Sequence, residues 1–61
     1  MKMSNRRITR NRGVDIIGGY YKGRHGVTIE RDDKGNWLIG FKTPSGYFED
    51  WVALEHIKPP A

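Results

Sequence analysis

The sequence predicts an all-β fold: a small five-stranded barrel over residues 13–61, preceded by a disordered basic arm over residues 1–12. Three observations predict it. Short runs rich in β-branched and aromatic residues recur along the chain, and such side chains pack well on a pleated surface. Turn signals made of Gly, Asp and Pro separate those runs every seven to ten residues. The charge is split: Lys2, Arg6, Arg7, Arg10 and Arg12 give the first twelve residues +5, with no acidic residue among them. The six basic and seven acidic side chains that follow give −1, so the net charge of +4 resides in the arm.

The arm has one isolated apolar residue, Ile8, and no sustained hydrophobic period, the pattern of a chain that cannot bury enough surface to order itself. Gly13–Gly18 reads as the first strand, with Val14 and Ile16 on one face and Asp15 and Ile17 on the other. A glycine-punctuated loop, Gly19–His25, follows. The second strand, Val27–Arg31, alternates two apolar residues, Val27 and Ile29, with Thr28. A slip of one residue would exchange its buried and exposed faces, so either register is open. Asp32-Asp33-Lys34-Gly35 is a turn, with Asp capping the bend and Gly in the left-handed position. Asn36–Lys42 is the third strand, carrying Trp37, Ile39 and Phe41 on one side and, on the other, Gly40, which leaves a gap. Thr43-Pro44-Ser45-Gly46 is a second turn and Tyr47–Trp51 a fourth strand. Residues 52–55 suit a single helical turn and His56–Lys58 a short closing strand, with Leu54 and Ile57 sealing the core. Pro59-Pro60 ends hydrogen bonding, having no N–H to donate.

The segment Val14–Glu30 carries a family resemblance. Val14, Ile16, Gly19, Lys22, Gly23 and Gly26 match the KOW motif of small SH3-like β-barrels, found in ribosomal proteins and in transcription elongation factors of the NusG kind. The position two after the last glycine, commonly aliphatic, is Thr28. The ending Val52-Ala53-Leu54-Glu55-His56-Ile57 is similar to the last turn and closing strand of many such barrels. It also looks like the ending of plasmid-type dihydrofolate reductase, a tetramer of SH3-like barrels. That enzyme's active pore depends on a V-Q-I-Y segment just before the ending, where this chain has Gly46-Tyr47-Phe48-Glu49-Asp50. The resemblance therefore reaches the fold and stops short of the site.

Composition narrows the chemistry. A 61-residue chain forms one small domain of modest core, so a compact barrel, or one helped by weak homo-oligomerisation, is expected. The absence of cysteine removes disulfides and thiolate chemistry and fits a cytoplasmic location. No apolar run approaches a membrane span. His25 and His56 lack metal-ligand spacing, Ser4 and Ser45 have nothing to activate them, and Glu49-Asp50 point to opposite faces of a strand. No cofactor, no metal and no enzymatic activity are expected.

Two binding functions remain. KOW-containing domains often touch RNA through the motif's loop and through basic extensions. The resemblance thus implies a nucleic-acid module, RNA or DNA, that uses Arg6, Arg7, Arg10 and Arg12 with Tyr20, Lys22 and Arg24. Arginine forks suit phosphate, and a tyrosine beside cations can stack on a base. The alternative is a protein-interaction or assembly adaptor in which Tyr20, Tyr47 and Trp51 line an aromatic groove, with Glu49 and Asp50 facing a basic partner.

Overall fold

The computed structural model describes residues 8–58, in which four strands form one antiparallel sheet in the order β1-β2-β3-β4: β1 Gly13–Asp15, β2 His25–Arg31, β3 Trp37–Thr43 and β4 Gly46–Val52. The all-β class therefore holds. A 3-10 turn, Leu54–His56, follows β4. No helix among the described residues is long and apolar enough to cross a membrane.

The expected closed five-stranded barrel is not what the sheet displays. The closing strand is reduced to a single bridge, Ile16↔Ile57. Ile17 N–H donates to the His56 carbonyl at 2.7 Å and Lys58 N–H to the Asp15 carbonyl at 2.9 Å. β4 has no strand on its outer edge among the described residues, so the sheet is open.

The core collects Ile8, Val14, Ile16, Trp37, Ile39, Phe41, Val52 and Ile57, with Tyr21 and Phe48 packed against it. Alternation accounts for five of these, Val14 in β1 with Ile16 just beyond its end, and Trp37, Ile39 and Phe41 in β3, since alternate residues of an extended chain share a face. Leu54, expected to seal the core with Ile57, is instead half exposed on the 3-10 turn. Val52, at the end of β4, takes that interior place.

β2 adopts the register that turns Thr28 inward and leaves Val27 exposed. Thr28 is fully buried, at 0% exposure. Its Oγ1 accepts the Arg12 N–H at 2.9 Å and donates to the Thr9 carbonyl, while its backbone N–H donates to the Arg12 carbonyl at 2.9 Å. Asn11 N–H closes the set by donating to the Thr28 carbonyl at 2.8 Å. A buried hydroxyl is tolerable when it is satisfied in this way. A register shift between Thr28 and Glu30 accommodates Ile29 as a bulge.

These bonds correct the boundary of the arm. Ile8–Arg12 is not a free tail: it runs along β2, pinned to Thr28, with Ile8 buried in the core cluster. An isolated apolar residue in a basic stretch gives no periodic signal, so the packing was invisible to pattern reading. Residues 1–7, including Arg6 and Arg7, lie outside the described residues.

The turns follow the sequence. Asp32 Oδ1 accepts the N–H groups of Lys34 and Asn36, at 2.9 and 2.8 Å, and Gly35 takes φ +91°. Partial burial alone would push the Asp32 carboxyl up. Hydrogen bonds from the Asn36 backbone and side chain, and from the N–H groups of Lys34 and Gly35, outweigh it and hold the group below its ordinary value. The gap left by Gly40 is filled by Tyr47: a Cβ at Gly40 would stand 2.3 Å from the Tyr47 hydroxyl.

Candidate binding site

The loop between β1 and β2 and the end of β4 together build an open surface cleft. Gly18 and Gly19 allow the chain to pass directly over His56. A Cβ on Gly18 would lie 2.8 Å from the His56 ring, and one on Gly19 2.6 Å from it, with Gly19 at φ +76°. Only glycine meets both demands at position 19. His56, read from sequence only as a non-ligand, thus anchors the loop. The adjacent Gly-Gly pair was the available signal, but its partner is 37 residues away by number.

Past these glycines the two tyrosines part. Tyr20 is 93% exposed, and its ring meets Tyr21 edge-on at 4.9 Å between centroids. Tyr21 turns inward, with its ring 4.9 Å from Phe41 and 5.6 Å from Phe48, a tilted cluster that adds aromatic contact to area burial. Its hydroxyl donates to Asp50 Oδ2 across the fold. Asp50 Oδ1 accepts the Trp51 N–H at 2.7 Å. The tyrosine hydroxyl and this N–H hold the Asp50 carboxyl below its ordinary range. The same hydrogen bond, followed by burial and the Asp50 charge, pushes Tyr21 up from 10.0. Tyr47 is pushed up as well, by its 2.9 Å hydrogen bond to Glu49, by burial and by that charge.

Asp50 ionises more readily folded than unfolded, so its share of stability is present above the ordinary carboxylate value of 3.8 and fades as pH falls through the folded pKa. Tyr21 ionises less readily folded, so its share is present below 10.0 and fades as pH rises through the raised pKa. Ultraviolet difference titration should therefore find Tyr21 and Tyr47 ionising above the ordinary tyrosine value. Asp50→Asn should return Tyr21 towards 10 while leaving Tyr47 raised. Tyr21 and Tyr47 both titrating at the ordinary value would refute the two bonds.

Gly18, Gly19, Tyr20, Tyr21 and His56 on one side, and Asp50–Ala53 on the other, line an open cleft of about 430 Å³. Of the five residues expected to form an aromatic and acidic groove, the fold brings Tyr20, Asp50 and Trp51 to this cleft. Tyr47 and Glu49 are not among its lining residues and bond to each other instead.

The residues expected to meet a polyanion are placed differently. Lys22 and Arg24 are exposed on the loop beside Tyr20, with the Arg24 guanidinium 6.0 Å from the centroid of the Phe48 ring. Arg10 and Arg12 are exposed near the far end of the β1–β2 ribbon. Arg12 bonds to Thr28 and Ile16 to Arg24, so four residues of β2 separate the two groups, roughly 13 Å of strand. The fold puts both groups on one ribbon without joining them. The two contacts within ion-pair distance among the described residues, His25 with Asp15 at 2.9 Å and His56 with Glu55 at 3.8 Å, are histidine–carboxylate contacts and involve no lysine or arginine.

No family model matches this chain, and no curated protein or solved structure matches it at a significant level.

Proposed function

We propose that the chain is an SH3-like barrel of the KOW kind and acts as a non-enzymatic module binding single-stranded nucleic acid, RNA or DNA, through its glycine loop and its basic start. The observation that carries this reading is Tyr20, almost wholly exposed on the loop with Lys22 and Arg24 beside it and, among the described residues, no carboxylate in ion-pair contact with either cation. An exposed ring stacks on any base, while unpaired cations meet phosphates. Arg10 and Arg12 offer a second basic group further along the same ribbon, and Arg6 and Arg7 precede them in sequence. The barrel assignment is supported by the bridge at Ile57, which lays the C-terminal segment against the free side of β1. Backbone contact of this kind predicts little sequence preference.

The test is fluorescence anisotropy of labelled oligouridylate and oligothymidylate at low and moderate salt. Lys22→Gln/Arg24→Gln should lower the slope of log affinity against log salt by about 1.4, two contacts at about 0.7 each for single strands. Tyr20→Ala should weaken binding about tenfold with little change in slope. If the unmodified chain does not bind at low salt, the reading fails.

A second reading, a protein-docking module, is favoured by the cleft at Tyr20, Asp50 and Trp51. Its one lining charge among Asp, Glu, Lys and Arg is negative, which suits a basic partner and repels phosphate. Lys22 and Arg24 are not among its lining residues, so the two readings use different surfaces.

A further inference from the structure

We propose that the outer edge of β4 takes up an extended basic segment of a partner protein as an added strand, and that the cleft beside it receives one arginine or lysine side chain of that segment. This rests on the protein-docking reading and gives it a ligand class and a binding mode.

The two edges of the sheet differ. β1 is met at its end by the Ile16↔Ile57 bridge, with the Asp15 carbonyl taken by Lys58, whereas β4 offers seven residues with no strand beside them among those described. The β3–β4 turn determines which groups are free. Thr43 pairs with Gly46 around Pro44-Ser45, a two-residue connection whose closing pair exchanges hydrogen bonds, after which bonded and non-bonded pairs alternate. Phe48, Asp50 and Val52 therefore direct their backbone groups to β3, and Tyr47, Glu49 and Trp51 direct theirs outward. The Trp51 N–H agrees: it bonds to the Asp50 carboxylate and not to β3. The carbonyls of Tyr47, Glu49 and Trp51 and the N–H groups of Tyr47 and Glu49 remain for a new strand.

Charge selects the occupant. A second copy pairing antiparallel about Glu49 would set Glu49 against itself, which disfavours self-association at this edge. A strand carrying lysine or arginine meets Glu49 and Asp50 with opposite charge. The cleft continues from that edge, since Asp50, Trp51 and Val52 belong to both. A long cationic side chain from the added strand reaches the Asp50 carboxylate there, and Tyr20 and Trp51 supply aromatic surface for a guanidinium or ammonium. Main-chain bonds then give affinity, and the cleft gives the preference for a basic side chain.

The test is amide NMR of the full chain titrated with a blocked peptide of alternating threonine and valine with arginine at its centre. The expected result is a shift of the Glu49 and Trp51 amides together with those of Gly18–Tyr21. A peptide with glutamate at the centre should bind at least about fivefold more weakly, and Asp50→Asn should abolish that preference. Methylating alternate peptide nitrogens should remove binding. Glu49→Lys, at an exposed site with no part in the core, should weaken the arginine peptide even if Asp50→Asn fails to fold. Shifts confined to Gly18–Tyr21 overturn strand addition and leave docking in the cleft standing. Equal affinity for the two peptides overturns the cation assignment. An oligonucleotide that displaces the peptide from β4 gives the edge to nucleic acid and overturns the proposal. No shift at millimolar peptide defeats the proposal and the docking reading together.

Discussion

Gly26→Ala is expected to destabilise the domain by about 2–3 kcal/mol, the upper range for overpacking a well-filled core. Gly26 sits in β2 opposite Val14 and is buried. An ideal Cβ there would stand 2.4 Å from Ile39 Cγ2, 2.8 Å from the Gly40 carbonyl oxygen and 3.1 Å from Phe41. Ile39 and Phe41 are core residues and the Gly40 oxygen is backbone, so none of the three is a loose side-chain end that can swing aside. A domain of this length holds about 3–9 kcal/mol in all, and the loss would take a large part of it. Urea titration reads the effect as a lower midpoint at unchanged slope. Gly23→Ala is the control: nothing lies within 4 Å of its added Cβ, so the cost is that of φ +91° alone, about 1 kcal/mol. Equal midpoints for the two variants would contradict the packing described at Gly26.

Gly26 also marks where sequence reading stops. As the last glycine of a loop motif it suggests a turn, yet it lies within β2, with an extended backbone and no space for a side chain. What could be read came from local patterns: Val14 with Ile16 just past the end of β1, and Trp37, Ile39 and Phe41 along β3, alternate in sequence and do face the core. The Asp32 turn was equally legible, because its bonds reach no further than four residues along the chain. The features that escaped depend on distant partners. Thr28 turns inward because its hydroxyl finds Arg12 and Thr9, 16 and 19 residues earlier. Tyr21 is held by Asp50, 29 residues later, a pairing that no spacing rule anticipates. The groove was half legible for the same reason. Tyr47, Glu49 and Trp51 share one parity of β4, and only the loop's path over His56 selects Trp51 and Asp50 for the cleft.

Deleting residues 1–12 is expected to unfold the domain instead of merely stripping its charge. The deletion removes Ile8 from the core, a loss of about 1.5–3 kcal/mol in burial. It also strands the Thr28 hydroxyl, N–H and carbonyl, each of which costs about 1–3 kcal/mol when buried without a partner. Together these approach the stability available to a chain of this size. Circular dichroism of the truncated chain should show loss of the cooperative transition. A native-like melt would instead mean that the segment before β1 contributes nothing to the core. Ile8→Ala should lower stability by about 2 kcal/mol, and Thr28→Val by about 1–3 kcal/mol, since valine fills the volume but leaves the Arg12 N–H and Thr9 carbonyl unpaired. Arg10→Gln/Arg12→Gln should stay within about 0.5 kcal/mol of the parent, because both side chains are exposed and neither is in an ion pair among the described residues. Charge and structure can therefore be separated within this one segment. A truncated chain that fails to bind an oligonucleotide reports a lost fold, whereas the glutamine pair, folded and less basic, reports how far Arg10 and Arg12 contribute to the affinity.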